Sequence, residues 1–154
     1  MGETAKTIVG DETRVYMPDQ PGCSLVNSIA HYKIKKWKEA YPDGIVVSYV
    51  NTDAKTKAIS DCGCTSRNAA QIVDHAAKHH PGKRMLFLPD KYLGAVSLSQ
   101  SSIDPSPVDL YDGACHVHAK IGEMASTKLS TSTRKQSCSF TRNADALRPA
   151  CRRS

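Results

Sequence analysis

No run of eighteen apolar residues occurs in the 154-residue chain, so no membrane-spanning helix is expected. The opening stretch, MGETAKTIVGDETRV, is polar and lacks the apolar centre of a secretory leader. No internal repeat and no sustained heptad pattern is visible. Cysteine pairs at the two-residue spacing of a zinc knuckle are missing as well. Six cysteines in a chain of 154 residues do not make a small disulfide scaffold. They point instead to a reducing, cytoplasmic compartment with buried or metal-bound thiols. A chain of this length buries a core without disulfide staples, in one domain or parts of two.

What is present includes a net charge of +6, unevenly placed. From Gly122 onward there are seven Lys or Arg and two acids, against fourteen basic and thirteen acidic residues before it. The basicity belongs to the tail, and the main body is nearly neutral. A nucleic-acid-binding reading would therefore rest on the tail alone, with no basic face on the body, and no nucleic-acid partner is expected.

Apolar patterning divides the body into alternating elements. Thr13 to Pro18 (TRVYMP) reads as a short strand. NSIAHYKIKKWKEAYPDG reads as one helix, with Ile29, Ile34 and Trp37 on one face and Pro42 and Gly44 stopping it. IVVSYV, almost wholly apolar, fits a strand covered on both faces. AKTKAIS reads as a short helix and DCGCT as a short strand. RNAAQIVDHAAKHH reads as a helix capped by Thr65 or Ser66 and ended by Pro81-Gly82. RMLFLP is the next strand, DKYLGAVSLSQ a helix and PVDLYD a further strand. Such alternation predicts an α/β fold: a three-layer αβα arrangement with a short parallel sheet. After Ile121 the texture turns Ser/Thr-rich and loses its period.

Ligands of open α/β sheets gather beyond the carboxyl ends of the strands. Tyr49 and Asn51 stand at one such end, Thr65, Ser66 and Asn68 at a second, and Asp90 at a third. A helix start with Thr and Ser hydroxyls suits a carboxylate or phosphate. The plainer alternative is that Ser66 or Thr65 only caps the helix and Asn51 only turns the chain. Cys62 and Cys64 could chelate a metal, yet one intervening residue on a strand puts both on one face, as in a core. Cys115, His116 and His118 in CHVH leave a zinc reading open. Its fullest form is a small module using Cys62, Cys64, Cys115 and His118. Cys23 precedes a helix, where a thiolate is favoured.

Five segments, PGCSLVNSI, VVSYVNT, KAISDCGCTSRNA, FLPDKYLGA and GACHVHAKI, occur in the order and spacing of the quinolinate synthase family. The resemblance runs from about Gly2 to Ile121. It implies a fold of three related αβα domains about a pseudo-threefold axis, each giving one cysteine to a [4Fe–4S] cluster. Three cysteines leave one iron open as a Lewis acid. The implied reaction condenses iminoaspartate with dihydroxyacetone phosphate and releases phosphate and two waters to form quinolinate, a step of NAD biosynthesis. In that pathway L-aspartate oxidase supplies the iminoaspartate. By position, Cys23 and Cys115 match cluster ligands, Tyr49 and Asn51 match active-site residues, and Ser66, with Thr65 beside it, matches a substrate-binding serine. Cys62 and Cys64 match no ligand.

The chain departs from this pattern in several places. MGETAK resembles an internal stretch of family members, so residues 1–24 read as the remnant of a first αβα domain and 25–121 as most of a second. Arg67 and Lys120 stand where small residues are usual, and the third cluster cysteine is not found. Residues 122–154 read as an out-of-frame or disordered basic tail. FTRNADALR (Phe140 to Arg148) can be encoded TTC ACC CGG AAT GCG GAT GCG CTA CGN. Read from the last base of its first codon, that gives His-Pro-Glu-Cys-Gly-Cys-Ala-Thr, the motif such a family member carries next. A frameshift after about Ile121 is therefore expected, a reading the nucleotide sequence decides directly. With two of three cluster cysteines and part of the substrate shell, the chain alone is expected to have little or no activity.

Overall fold

The computed structural model describes residues 2–19 and 22–119. The chain runs through α1 (Gly2–Val9), α2 (Ser24–Asn27), α3 (His31–Ala40), β1 (Ile45–Tyr49), α4 (Ala54–Ala58) and β2 (Cys62–Cys64). It continues through α5 (Ala69–His79), β3 (Met85–Leu88), α6 (Lys91–Gln100), β4 (Val108–Leu110) and α7 (His116–Ala119). The four strands form one sheet in the order β2-β1-β3-β4, and every pairing is parallel. The α/β expectation is met. The tail assigned to 122–154 lies outside the described residues.

The two central strands are sealed on both faces because their side chains alternate between two apolar layers. Ile45, Val47, Met85 and Phe87 pack with Cys64, Val73, Ala76 and Leu93 on one side. Val46, Leu86 and Leu88 pack with Ile29, Ile34 and Tyr111 on the other. Helices α5 and α6 cover the first layer, and α3 covers the second. Gly94 is what lets α6 lie close on β3: a Cβ there would meet Phe87 Cδ1 at 3.0 Å and Leu110 Cδ2 at 2.5 Å.

Two local expectations are corrected. Residues 13–18 form no strand; Tyr16 and Met17 are exposed in an irregular segment, without a neighbouring strand to pair their backbone. The helix expected over NSIAHYKIKKWKEAYPDG forms but starts late, at His31; Asn27 ends α2 and residues 28–30 are not helical. There the Ala30 amide donates to the Tyr111 hydroxyl at 2.9 Å, a long-range bond that replaces a helical one. The polar N-terminal stretch, for which no element was expected, forms helix α1. It docks through polar groups: Thr4 Oγ1 donates to the Val50 carbonyl at 2.8 Å, and the Ala54 amide donates to Glu3 at 2.9 Å.

A polar brace joins α3 to the far edge of the sheet. Asp109 on β4 accepts from Trp37 Nε1 at 2.8 Å, Arg84 Nε at 3.1 Å and Arg84 Nη2 at 2.6 Å. The Arg84 hydrogen bonds, helped by Trp37, hold the Asp109 carboxyl below its usual value of 3.8, although burial acts the other way. A carboxyl lowered on folding stabilises the fold above its unfolded pKa, and that contribution disappears as pH falls through the folded value. Asp109→Asn is therefore expected to lower stability at neutral pH and to flatten the loss of stability below about pH 4. Urea midpoints measured across that range check this; parallel acid profiles for the two proteins would refute it.

Candidate functional site

The site is built around the loop that leaves β1. Tyr49 closes the strand, and its carbonyl accepts from the Thr52 amide at 3.0 Å and the Thr52 hydroxyl at 2.9 Å. This tight turn, together with a Lys57 ammonium that donates to the Thr52 carbonyl, fixes the direction of Asn51. Asp53 then caps α4 by accepting from the Thr56 amide at 2.8 Å. Asn51 Nδ2 lies 3.8 Å from Cys23 Sγ, within donating reach of the sulfur. Its Oδ1 is buried and meets no hydrogen-bond partner among the described residues.

Cys23 occupies the position before the first turn of α2, with extended backbone (φ −127°, ψ 115°). Its thiol and Asn51 line a cavity of about 1140 Å³ whose wall includes Lys6, Arg14, Asn27 and Asp53. Cys115 immediately precedes α7. The two cysteine loops meet through their next residues: Ser24 Oγ lies 2.6 Å from His116 Nδ1. Cys23 and Cys115 are both half-buried free thiols.

Not every predicted residue converges here. Tyr49 packs its ring on the first apolar layer and does not line the large cavity. Thr65 faces a smaller hollow of about 310 Å³ with Lys57, Cys62 and Asn68. Ser66 and Cys115 line neither hollow. The expectation that Thr65 or Ser66 caps α5 is corrected: the helix begins at Ala69, with Asn68 in the capping position. Asn68 Oδ1 turns back to accept from the Thr65 amide at 2.7 Å and the Thr65 hydroxyl at 2.8 Å, and this local ring holds residues 65–68 out of the helix. Asp90, at the end of β3, is buried and accepts from the Tyr92 and Leu93 amides, capping α6.

The four-ligand zinc arrangement does not suit this geometry. Cys64 is buried in the first apolar layer, where burial, and secondarily Cys62, pushes its thiol pKa up to about 12. Cys62 is raised too, by burial and by the neighbouring Asp61. Zinc needs thiolates, and these surroundings oppose them. Among the described residues no three His, Cys, Asp or Glu side chains gather as a metal site.

Sequence reasoning missed Lys6, Arg14 and the Ser24–His116 pair. The pair had a faint signal, since each residue directly follows a candidate cysteine. Lys6 and Arg14 had none, because they reach the cavity only once α1 packs across the β1 loop.

Comparison with known proteins places the sequence. Residues 1–140 match the family model described as quinolinate synthetase A protein. The quinolinate synthase of Pyrobaculum aerophilum is 42% identical over 122 residues, covering 79% of this chain and 38% of that protein. Those of Thermus thermophilus and Mycolicibacterium paratuberculosis are each 43% identical, over 124 and 122 residues, covering 80% and 79% of this chain and 38% and 33% of theirs. The chain therefore spans between 33% and 38% of the length of these relatives. With a family match over most of its length, the chain belongs to the quinolinate synthetase A family.

Proposed function

We propose that this chain carries part of a quinolinate synthase site, the one that condenses iminoaspartate with dihydroxyacetone phosphate. The carrying observation is Asn51, whose buried Oδ1 lacks a partner while its Nδ2 faces Cys23. Leaving such an acceptor unpaired costs about 1–3 kcal/mol, which a ligand hydroxyl or N–H would recover. Both substrates offer one: dihydroxyacetone phosphate a hydroxyl, iminoaspartate a nitrogen-bound hydrogen. Lys6 and Arg14 give the cavity wall two cations suited to carboxylate or phosphate.

Cys23 and Cys115 would hold two irons of a [4Fe–4S] cluster, which supplies Lewis acidity when bound. Tyr49 and Asn51 would contact substrate from the end of β1. Thr65 and Ser66 would contact it from the loop before α5. The chain's own part in the chemistry is to bind, orient and shield; with two cluster cysteines and part of the shell it is expected not to turn over alone.

Replacing the matching span of the Thermus thermophilus relative with residues 2–119 tests the reading. The anaerobically reconstituted hybrid is expected to make quinolinate, the Cys23→Ser hybrid none, and the Asn51→Ala hybrid at least about tenfold less. A folded, cluster-loaded hybrid without activity would overturn the site assignment. Turnover by the 154-residue chain itself would overturn its expected inactivity.

A further inference from the structure

We propose that Ser24 and His116 form a latch that sets the separation of the Cys23 and Cys115 thiols before any iron arrives. The inference rests on the reading of those two cysteines as ligands of one cluster. Ser24 Oγ and His116 Nδ1 are 2.6 Å apart although 92 residues separate them in sequence. Each directly follows its cysteine, so one hydrogen bond ties together the two loops that carry the thiols.

An exposed hydrogen bond between two mobile side chains is ordinarily worth little, because water competes and ordering costs entropy. Here the backbone on both sides is already held. Leu25, next to Ser24, is buried, and the Asn27 amide donates to the Cys23 carbonyl at 2.9 Å. On the other side Gly113 is buried, with its carbonyl accepting from the Lys91 amide at 2.9 Å. The latch therefore restrains a small residual freedom, the distance between two anchored loops. Cys23 is restrained a second time by Asn51 Nδ2 at 3.8 Å. Cys115 has no comparable side-chain contact on its sulfur among the described residues, so the latch is its link to the other thiol. Ser24 and His116 are thus positioning residues, acting through the two cysteines that they follow.

The test uses the full 154-residue chain without metal and dibromobimane, which becomes fluorescent on bridging two nearby thiols, with products identified by peptide mapping. Cys64 is buried with its thiol pushed up to about 12, so it resists the reagent while the fold is intact, and a Cys62–Cys64 bridge reports unfolding. Ser24→Ala and His116→Ala are each expected to slow the Cys23–Cys115 bridge about threefold to tenfold, the double variant no further, and Ser24→Thr to restore the rate. The Cys62–Cys64 bridge should stay as slow as in the wild-type chain in all four, which shows that the fold is intact. Equal Cys23–Cys115 rates in wild type and Ser24→Ala would overturn the latch. Absence of that bridge from the wild-type chain would instead overturn the shared-site reading on which it rests.

Discussion

Phe87→Ala should lower the stability of the chain by about 3–5 kcal/mol, the range for truncating a buried aromatic. Phe87 lies in the central strand β3 and is 1% exposed. Its ring meets Gly94 of α6, and its neighbours in the layer include Val47 and Leu93. Gly94 has no side chain to move into the space left behind, and strand neighbours cannot move in without breaking register, so the void stays open. Domains have only about 5–15 kcal/mol in total, so the variant should be partly unfolded at 37 °C. Urea denaturation followed by circular dichroism measures the loss. A cost below about 1 kcal/mol would mean that this layer is not the core.

Gly113→Ala is expected to do less to the fold and more to the site. A Cβ at this position would lie 2.3 Å from the Pro89 carbonyl oxygen and 3.3 Å from the Pro89 carbonyl carbon. Those are backbone atoms, held by the strand before them and by the Asp90 cap after them, so the 112–115 segment is the part that must give way. Overpacking of this kind costs about 1–3 kcal/mol. Its chief effect falls two residues on, where Cys115 and the Ser24–His116 contact would shift together. The hybrid enzyme carrying Gly113→Ala should take up less than half the iron and sulfide of its parent while remaining folded. Full uptake with unchanged stability would show that the close approach at Pro89 is relaxed without consequence.

The sheet was readable from sequence where composition forces it. IVVSYV and RMLFLP can only be satisfied between two covered faces, and Val46 and Val47 do point into different layers. Helix boundaries were readable where a side chain competes locally, but which side chain wins was not. Asn68 outcompetes Thr65 and Ser66 because its amide closes a ring over three residues. Nothing near residue 30 announces the break before α3, since the group that makes it tolerable is the hydroxyl of Tyr111. The site divides in the same way. Tyr49, Asn51, Ser66, Cys23 and Cys115 came from resemblance to family motifs, whereas polar strand ends alone left the plainer alternatives open. The contact between Ser24 and His116 spans 92 residues and could come only from the folded chain.

The order of the strands also has a consequence in time. Val47 pairs with Cys62 and Met85 with Val108, closures of 15 and 23 residues, whereas Ile45 pairs with Met85 across 40. Closing 40 residues costs about 0.9 kcal/mol more entropy than closing 15. Folding is thus easiest as two short-range halves that join at the β1–β3 seam. Cys23 and Asn51 belong to the first half and Cys115 to the second. If Cys23 and Cys115 hold one cluster as proposed, iron offered before the seam closes would meet the two thiols on separate pieces, and less iron is expected to be taken up than when it is added after refolding.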